Sequence, residues 1–66
     1  MRIICNGEDH NIQEGLVLTD YLKSLGLDPS AVVVEYNGRI IDRKNYDSQV
    51  ISEGAKLELI HFVPGG

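Results

Sequence analysis

The amino-acid sequence predicts an α+β fold in which one helix crosses one face of a mixed sheet of four or five strands. Three observations lead to this prediction. A chain of 66 residues can build only one hydrophobic core. Two Asn-Gly dipeptides each separate short apolar segments of strand character, and the region between them carries leucines at helical spacing. The single cysteine allows no intrachain disulfide, so packing alone must stabilise the domain.

The first predicted hairpin pairs a strand over residues 1–5 with a return strand over residues 10–13. Asn6-Gly7 forms the turn, because both residue types tolerate the positive φ angles that a tight hairpin turn requires. Side chains alternate between the two faces of a strand, so the inward and outward sets can be assigned. The inward side chains are expected to be Ile3, Cys5 and Ile12. The outward side chains are expected to be Arg2 and Ile4.

Three leucines at spacings of four and three predict one amphipathic helix whose apolar stripe faces the sheet. They are Leu18, Leu22 and Leu25. Thr19 or Asp20 is expected to cap the free amides of the first turn, and Gly26 is expected to end the helix as a left-handed residue. Leu27 can then fold back onto the apolar stripe, before a proline-containing turn at residues 28–30.

A β-branched run predicts the third strand over residues 31–36, and Asn37-Gly38 predicts a second hairpin with a short return strand over residues 39–41. The inward side chains are expected to be Val32, Val34, Tyr36 and Ile40. Residues 43–49 lack the apolar periodicity of a long helix. They predict a turn or one 3₁₀ coil anchored by Tyr46.

The last strand is expected over residues 56–63, after a turn at Glu53-Gly54. The polar members of this strand place Leu57 and Leu59 inward. The outward side chains are expected to be Glu58, Ile60 and Phe62. With right-handed crossovers, the order hairpin, helix, hairpin, coil, strand places the first and last strands side by side at the centre of the sheet, which is the β-grasp layout.

Ten acidic residues oppose six basic ones, giving a formal net charge of −4. The basic residues are scattered, and the one adjacent pair, Arg43-Lys44, sits among acids, so nucleic acid and anionic membranes would be repelled. A basic or neutral protein is the expected partner class. No apolar run approaches the roughly 20 residues that span a bilayer, and no secretory signal opens the chain, so we expect a cytoplasmic protein.

Candidate catalytic and metal-binding residues are few. Cys5, His10 and His61 are not spaced as the ligands of a structural zinc site, and the glycines form no phosphate-binding loop. Pairing of the first and last strands leaves a Cys5–His61 dyad open as an alternative, although a pair inside a sheet core offers a substrate no cleft. A free cysteine is more often a small buried hydrophobe than a nucleophile. We therefore predict that the chain is not an enzyme and holds no metal.

An outward apolar stripe suits a binding role better than a purely structural one. Ile60 and Phe62 form its core, Ile4 on the neighbouring strand is expected to join them, and Val33 or Ile41 is expected to extend it. In so small a domain the face opposite the helix has nothing of its own to pack against. Such a stripe usually marks a partner surface.

The end of the chain is the second feature of this kind. Pro64 stops the strand, and Gly65-Gly66 carries no side chains. Residues 64–66 are therefore expected to form a narrow, flexible arm on a β-grasp domain of residues 1–63.

The second half of the chain carries the parts of a known family pattern. The pattern has a strand with an Asn-Gly turn, an arginine, an aromatic residue, a Glu-Gly turn, a strand ending in His-Phe-Val, and two glycines. In this sequence the parts are residues 34–41, Arg43, Tyr46, Glu53-Gly54, residues 57–63 and Gly65-Gly66. On these residues the chain resembles the sulfur-carrier proteins of thiamine biosynthesis, the ThiS family, which are ubiquitin-like β-grasp proteins. It departs from the family at Asp42, Ala55 and Pro64, where proline, aspartate and glycine are common.

The resemblance implies a carrier whose reactive group is its C-terminus. An E1-like adenylating enzyme of the ThiF type would join the Gly66 carboxylate to AMP from ATP, and sulfur from a sulfur-donor protein would displace AMP to leave a thiocarboxylate. A thiazole synthase of the ThiG type would then take the sulfur. The resemblance further implies that ATP and Mg²⁺ belong to the activating enzyme and that the carrier has no cofactor of its own. Ile4, Ile60 and Phe62 would form the docking surface that both enzymes share.

Three alternatives stay open on the sequence. The nearest is a sulfur carrier for molybdopterin or cysteine biosynthesis, although such carriers usually run longer than 66 residues. The second is a ubiquitin-like interaction or conjugation module without sulfur chemistry. The third is a small enzyme that uses Cys5 and His61.

Overall fold

The computed structural model describes residues 1–62 of the chain. Its five strands are β1 (Arg2–Cys5), β2 (Glu8–Asn11), β3 (Val32–Tyr36), β4 (Arg39–Ile40) and β5 (Lys56–His61). One α-helix, α1 (Leu18–Ser24), joins the two hairpins, and 3₁₀ turns cover Pro29–Ala31 and Arg43–Asn45. No helix among these residues is long and apolar enough to cross a bilayer. The predicted arm at residues 64–66, like residue 63, lies outside the described residues.

The strands form one mixed sheet in the order β2-β1-β5-β3-β4. At its centre β1 and β5 pair in parallel. There the amide of Ile4 donates to the carbonyl of Ala55, and the amide of Asn6 donates to the carbonyl of Leu57, both at 2.9 Å. The other neighbouring strands pair antiparallel. Helix α1 packs on one face, so the predicted β-grasp layout with the first and last strands side by side is confirmed.

Both Asn-Gly turns form as predicted. In each turn the asparagine has a φ angle of 50°, and the glycine that follows has one of 80° or 84°, which are the left-handed conformations of a two-residue hairpin turn. Because a two-residue turn fixes the register, Glu8 pairs directly with Cys5. Strand β2 therefore covers Glu8–Asn11 rather than the predicted residues 10–13, and Ile12 packs against the core just beyond it.

The start of α1 differs from the prediction, because neither Thr19 nor Asp20 caps it and no side chain takes that role. The amides of Leu18 and Thr19 instead donate to backbone carbonyls in the segment 46–49, at 2.8 and 3.1 Å. The Thr19 hydroxyl donates to the carboxylate of Asp47 in the same segment at 2.6 Å. The free amides of the first turn are thus satisfied by a distant loop rather than by a local cap.

The end of α1 follows the prediction at Gly26 and departs from it at Leu25. Gly26 has a φ angle of 77°, and its amide and that of Leu27 bond back to carbonyls of the last turn at 2.9 and 3.0 Å. Leu27 thereby returns to the core, as predicted. Leu25 is 42% exposed, because the helix ends at Ser24 and Leu27 is the side chain that reaches the core.

The core lies between α1 and the inner face of the sheet. Its buried members are Ile3, Cys5, Leu18, Tyr21, Leu22, Val32, Val34, Tyr46, Ile51, Ala55 and Leu57. Partly buried side chains complete it, among them Ile12, Tyr36 and Leu59. The inward positions predicted for β1, β3 and β5, and the anchoring role of Tyr46, are confirmed.

The prediction for β4 is wrong, because Ile40 is 70% exposed. The two-residue turn pairs Ile40 with Glu35, and residues opposite each other share a face of the sheet. Tyr36 packs against the core, so its neighbour Glu35 and therefore Ile40 face outward. Ile41 packs against the core instead, with its amide donating to the carbonyl of Val34 at 3.0 Å, and so it does not extend the outward stripe.

The hydroxyl of Tyr21 is buried in this core and makes no well-formed hydrogen bond to any described residue. Burial first, and the adjacent Cys5 thiol second, raise the pKa of Tyr21 above its ordinary value of 10.0. A buried polar group without a partner lowers stability. This hydroxyl therefore makes the domain less stable than the packing of its core suggests.

We expect Tyr21→Phe to raise the free energy of unfolding by about 1 kcal/mol at neutral pH, because it removes the unsatisfied hydroxyl and keeps the ring. The difference should widen above pH 10, where the unfolded wild-type chain ionises Tyr21 while the folded chain keeps it neutral. The wild type then loses stability as the pH rises, by up to about 1.4 kcal/mol per pH unit. Urea unfolding at neutral pH and at about one unit above pH 10 measures both effects.

Tyr36→Phe is the matched control for this prediction. The Tyr36 hydroxyl hydrogen-bonds the Ser52 hydroxyl at 2.6 Å and accepts from the Ser52 amide at 2.9 Å, so its removal should lower stability. Parallel pH profiles for Tyr21→Phe and the wild type would contradict the account of the buried hydroxyl.

Candidate functional site

The face of the sheet opposite α1 carries a partly exposed patch over β5, β3 and β4. The register places Ile60 opposite Val33 and Glu58 opposite Glu35, with Ile40 beside Glu35 on β4. Because opposite residues share a face, these five side chains, here called the outer patch, lie together. Ile60 and Ile40 are 52% and 70% exposed. Apolar exposure of this kind is typical of a partner surface.

The centre of the outer patch is acidic. Glu35 and Glu58 lie directly opposite each other. Neither belongs to the one side-chain ion pair found within residues 1–62, which joins Arg2 to Asp9 at 2.8 Å. Like charges opposite each other on a sheet are destabilising, and a cationic side chain brought between them by a partner would relieve the repulsion. The outer patch therefore combines exposed apolar side chains with two facing carboxylates.

Ile4, the third residue of the predicted stripe, does not adjoin Ile60. The parallel register of β1 and β5 places Ile4 opposite Lys56, at the start of β5. Glu58 lies between Lys56 and Ile60 on the same face, and the four steps along the strand from Lys56 to Ile60 cover about 13 Å. The prediction of one continuous stripe is therefore wrong, and Ile4 is separate from the outer patch.

Phe62, the last described residue, lies just beyond β5 and is 37% exposed. Its amide donates to the carbonyl of Ala31 at 2.9 Å. The guanidinium carbon of Arg43 lies 6.0 Å from the centroid of the Phe62 ring and 5.9 Å from the centroid of the buried Tyr46 ring. Phe62 therefore has a packing partner of its own, at the point where the chain continues into residues 63–66.

The surroundings of Arg43 contain a carboxylate that is ionised at neutral pH. The amide and hydroxyl of Ser30 donate to Asp28 at 3.0 and 2.9 Å. These two hydrogen bonds, and after them the charges of Arg43 and His61, hold the pKa of the exposed Asp28 carboxyl below its ordinary value of 3.8. The end of β5 thus carries charges of both signs, in contrast to the acidic outer patch.

The register separates the two members of the Cys5–His61 alternative. Cys5 pairs with Leu57 and is buried, whereas His61 pairs with Val32 and is exposed. These two positions on β5 are four residues, or about 13 Å, apart. Within residues 1–62 no three or more His, Cys, Asp or Glu side chains are arranged to hold a metal ion. Cys5 and His61 therefore form no dyad in the part of the chain that the structure describes.

The predicted attachment residue, Gly66, and the predicted arm residues Pro64 and Gly65 lie outside the described residues. Phe62 precedes Gly66 by four positions. The structure therefore describes the chain as far as Phe62 and the residues around that side chain.

Sequence reasoning did not select Arg43, Glu35 or Glu58 as binding residues. The acidic pair could have been found, because antiparallel pairing of the inward residues of β3 and β5 also determines which outward residues face each other. The contact between Arg43 and Phe62 joins residues 19 positions apart, and no local pattern indicates it.

The fold defines a class, the small ubiquitin-like β-grasp domains. A family model described as the ThiS family matches residues 3–66. The chain belongs to the ThiS family, and the resemblance found in the sequence is confirmed.

Relatives and solved structures agree with this assignment. The chain is 39% identical over 66 residues to a thiazole synthase of Magnetococcus marinus, and 33% identical over 66 residues to a thiazole synthase of Paramagnetospirillum magneticum. Each match covers 100% of this chain and 20% of the relative, so the chain spans about a fifth of the length of these synthases. The crystal structure of a thiamine biosynthesis protein (ThiS) from Geobacter metallireducens superposes with a TM-score of 0.85, at 29% identity and with 100% of both chains covered.

Proposed function

We propose that the chain is a sulfur carrier for thiamine biosynthesis, in which the C-terminal carboxylate of Gly66 is converted to a thiocarboxylate that supplies sulfur to the thiazole ring. Membership of the ThiS family is the observation that carries this proposal. The ThiS fold and the similarity to two thiazole synthases support it. On this proposal the chain acts as a protein co-substrate and is not itself an enzyme.

The chemistry explains why the reactive group needs activation. A free carboxylate is a poor acyl electrophile, so its oxygen first attacks the α-phosphorus of ATP, pyrophosphate leaves, and an acyl adenylate forms. Sulfide delivered by a sulfur-donor protein then attacks the acyl carbon, and AMP leaves with the bonding electrons. The thiol proton passes to solvent and a thiocarboxylate remains. Two terminal glycines suit this route, because an arm without side chains can enter a narrow site.

On this proposal the partner enzymes, and not this chain, bind the cofactors. An E1-like adenylating enzyme of the ThiF type binds ATP and Mg²⁺, and a thiazole synthase of the ThiG type uses the sulfur. The synthase partner is supported by the two relatives, in which a region similar to this entire chain lies within the polypeptide of a thiazole synthase. A covalent link of this kind keeps the linked region at high effective concentration near the synthase.

The outer patch and Phe62 are the proposed docking surface for both enzymes. Ile60 supplies an apolar anchor at the end of β5, Val33 lies beside it, and the acidic pair favours a basic partner surface. Ile4 is proposed as a second contact, at the start of β5. Since one surface serves two enzymes, the activating enzyme and the synthase should compete for the carrier.

Mass spectrometry after incubation with the activating enzyme, ATP and a sulfur donor should show exchange of one oxygen for one sulfur on the C-terminal peptide. Deletion of Gly66 should abolish the exchange without affecting the fold, because the core of residues 1–62 does not include that residue. Cys5→Ser is the control for adventitious thiol chemistry and should be charged like the wild type, since Cys5 is buried. Sulfur found on Cys5, or no exchange at the terminus, would contradict the proposal.

Ile60→Asp and Phe62→Asp should each weaken binding of the activating enzyme by more than tenfold, about 1.4 kcal/mol, because each replaces an apolar contact with a carboxylate that the interface would have to desolvate. Val50→Asp is the matched control: Val50 is 50% exposed, like Ile60, but lies outside the outer patch. Titration calorimetry measures the three affinities. Equal affinities for Ile60→Asp and Val50→Asp would remove the outer patch from the proposed docking surface.

A further inference from the structure

The last part of β5 is supported on one side only. Strand β1 pairs with the start of β5, at Lys56 and Leu57, and the side chain of Asn6 accepts a hydrogen bond from the amide of Leu59 at 2.8 Å. Beyond Leu59 the pairing of the described chain continues with β3 alone, through Ile60 and His61. The direction in which the chain leaves the sheet therefore depends on few backbone contacts.

Arg43 adds contacts at this point. Its guanidinium carbon lies 6.0 Å from the ring centroid of Phe62. Its Nε donates to the carbonyl of Pro29 at 3.3 Å, and one of its terminal nitrogens lies 3.5 Å from the carbonyl of Val32. A planar guanidinium can contact an aromatic ring and donate hydrogen bonds from its edge at the same time, which an ammonium group cannot match. One side chain thus connects the second 3₁₀ turn, the start of β3 and the end of β5.

Arg43 also contacts a second aromatic ring, which belongs to a buried residue held in place by hydrogen bonds. The Tyr46 ring, 5.9 Å from the guanidinium carbon, is buried in the core. The Tyr46 hydroxyl donates to the carbonyl of Val32 at 2.7 Å, and the Tyr46 carbonyl accepts from the amide of Thr19 in α1 at 3.1 Å. Arg43 therefore links Phe62 to a residue that is tied to both the helix and the sheet.

We propose that Arg43 is a positioning residue for the reaction at the C-terminus: it fixes the orientation of Phe62, the residue from which the chain continues to Gly66. The inference rests on the proposed function. Once the domain has docked, the Gly66 carboxylate must reach the ATP of the activating enzyme. A set direction at Phe62 raises the fraction of docked complexes in which the carboxylate is in place. Arg43 acts through Phe62 and touches no reacting atom.

The test compares Arg43→Ala with Lys44→Ala, its neighbour, in pyrophosphate release by the activating enzyme. Both variants lose one positive charge in the same 3₁₀ turn, and Lys44 is exposed. Arg43→Ala should lower kcat at least about fivefold, by a larger factor than it raises KM, because Ile60 still supports docking while productive placement is lost. Lys44→Ala should match the wild type. Arg43→Lys, which keeps a cation near the rings without the planar fork, should recover part of the lost kcat.

A second readout separates positioning from a general loss of fold. Amide hydrogen exchange at Phe62 should speed up in Arg43→Ala and stay unchanged in Lys44→Ala, while exchange in the core strands stays slow in both. Equal kcat for Arg43→Ala and Lys44→Ala, with normal charging of the wild type, would overturn this inference and leave the proposed function standing. A wild-type chain that is never charged at Gly66 would overturn the proposed function, and this inference with it.

Discussion

The parallel pairing of β1 with β5 is the interaction on which the rest of the structure depends. Its hydrogen bonds, from Ile4 to Ala55 and from Asn6 to Leu57, join strands that lie more than 50 positions apart. Neither hairpin alone encloses a core, and the sheet becomes continuous only when β5 lies between β1 and β3. The same pairing buries Cys5 beside Leu57 and gives α1 a complete face to pack on. Such non-local contacts carry a large chain-entropy cost, which the small core must offset.

This pairing also determines where the outer patch and Phe62 lie. Since β5 runs parallel to β1 and extends past its end, the last residues of β5 leave the sheet beside β3 alone. There the outer face is partly exposed at Ile60, and Arg43 contacts the ring of Phe62. The segment around Tyr46 stabilises this region, because it makes hydrogen bonds to both α1 and β3. The proposed docking surface therefore extends close to Phe62, the last described residue, which suits the proposed carrier with a reactive terminus.

Local signals were enough to predict the element order, both Asn-Gly turns and most of the core, because turn chemistry and side-chain alternation depend on near neighbours in the chain. The predictions were wrong where a contact between residues far apart in the chain determines the local structure. Thr19 does not cap α1, because carbonyls from the segment 46–49 take its place. Ile4 is separate from Ile60, because the register of a parallel pair cannot be deduced from either strand alone. The outward direction of Ile40 could have been predicted from the sequence, since a two-residue turn places Ile40 opposite Glu35. The site at Gly66 was predicted from the family resemblance.

We propose that the main-chain terminus carries the sulfur while the folded domain supplies the binding surface. The most direct test charges the chain enzymatically with isotopically labelled sulfur, isolates it, and adds it to thiazole synthase with the other substrates in a single turnover. Our account predicts one labelled sulfur in the thiazole per charged chain, and none from a chain that lacks Gly66. Label that stays with the chain, or that reaches the thiazole only when Cys5 is present, would contradict the account.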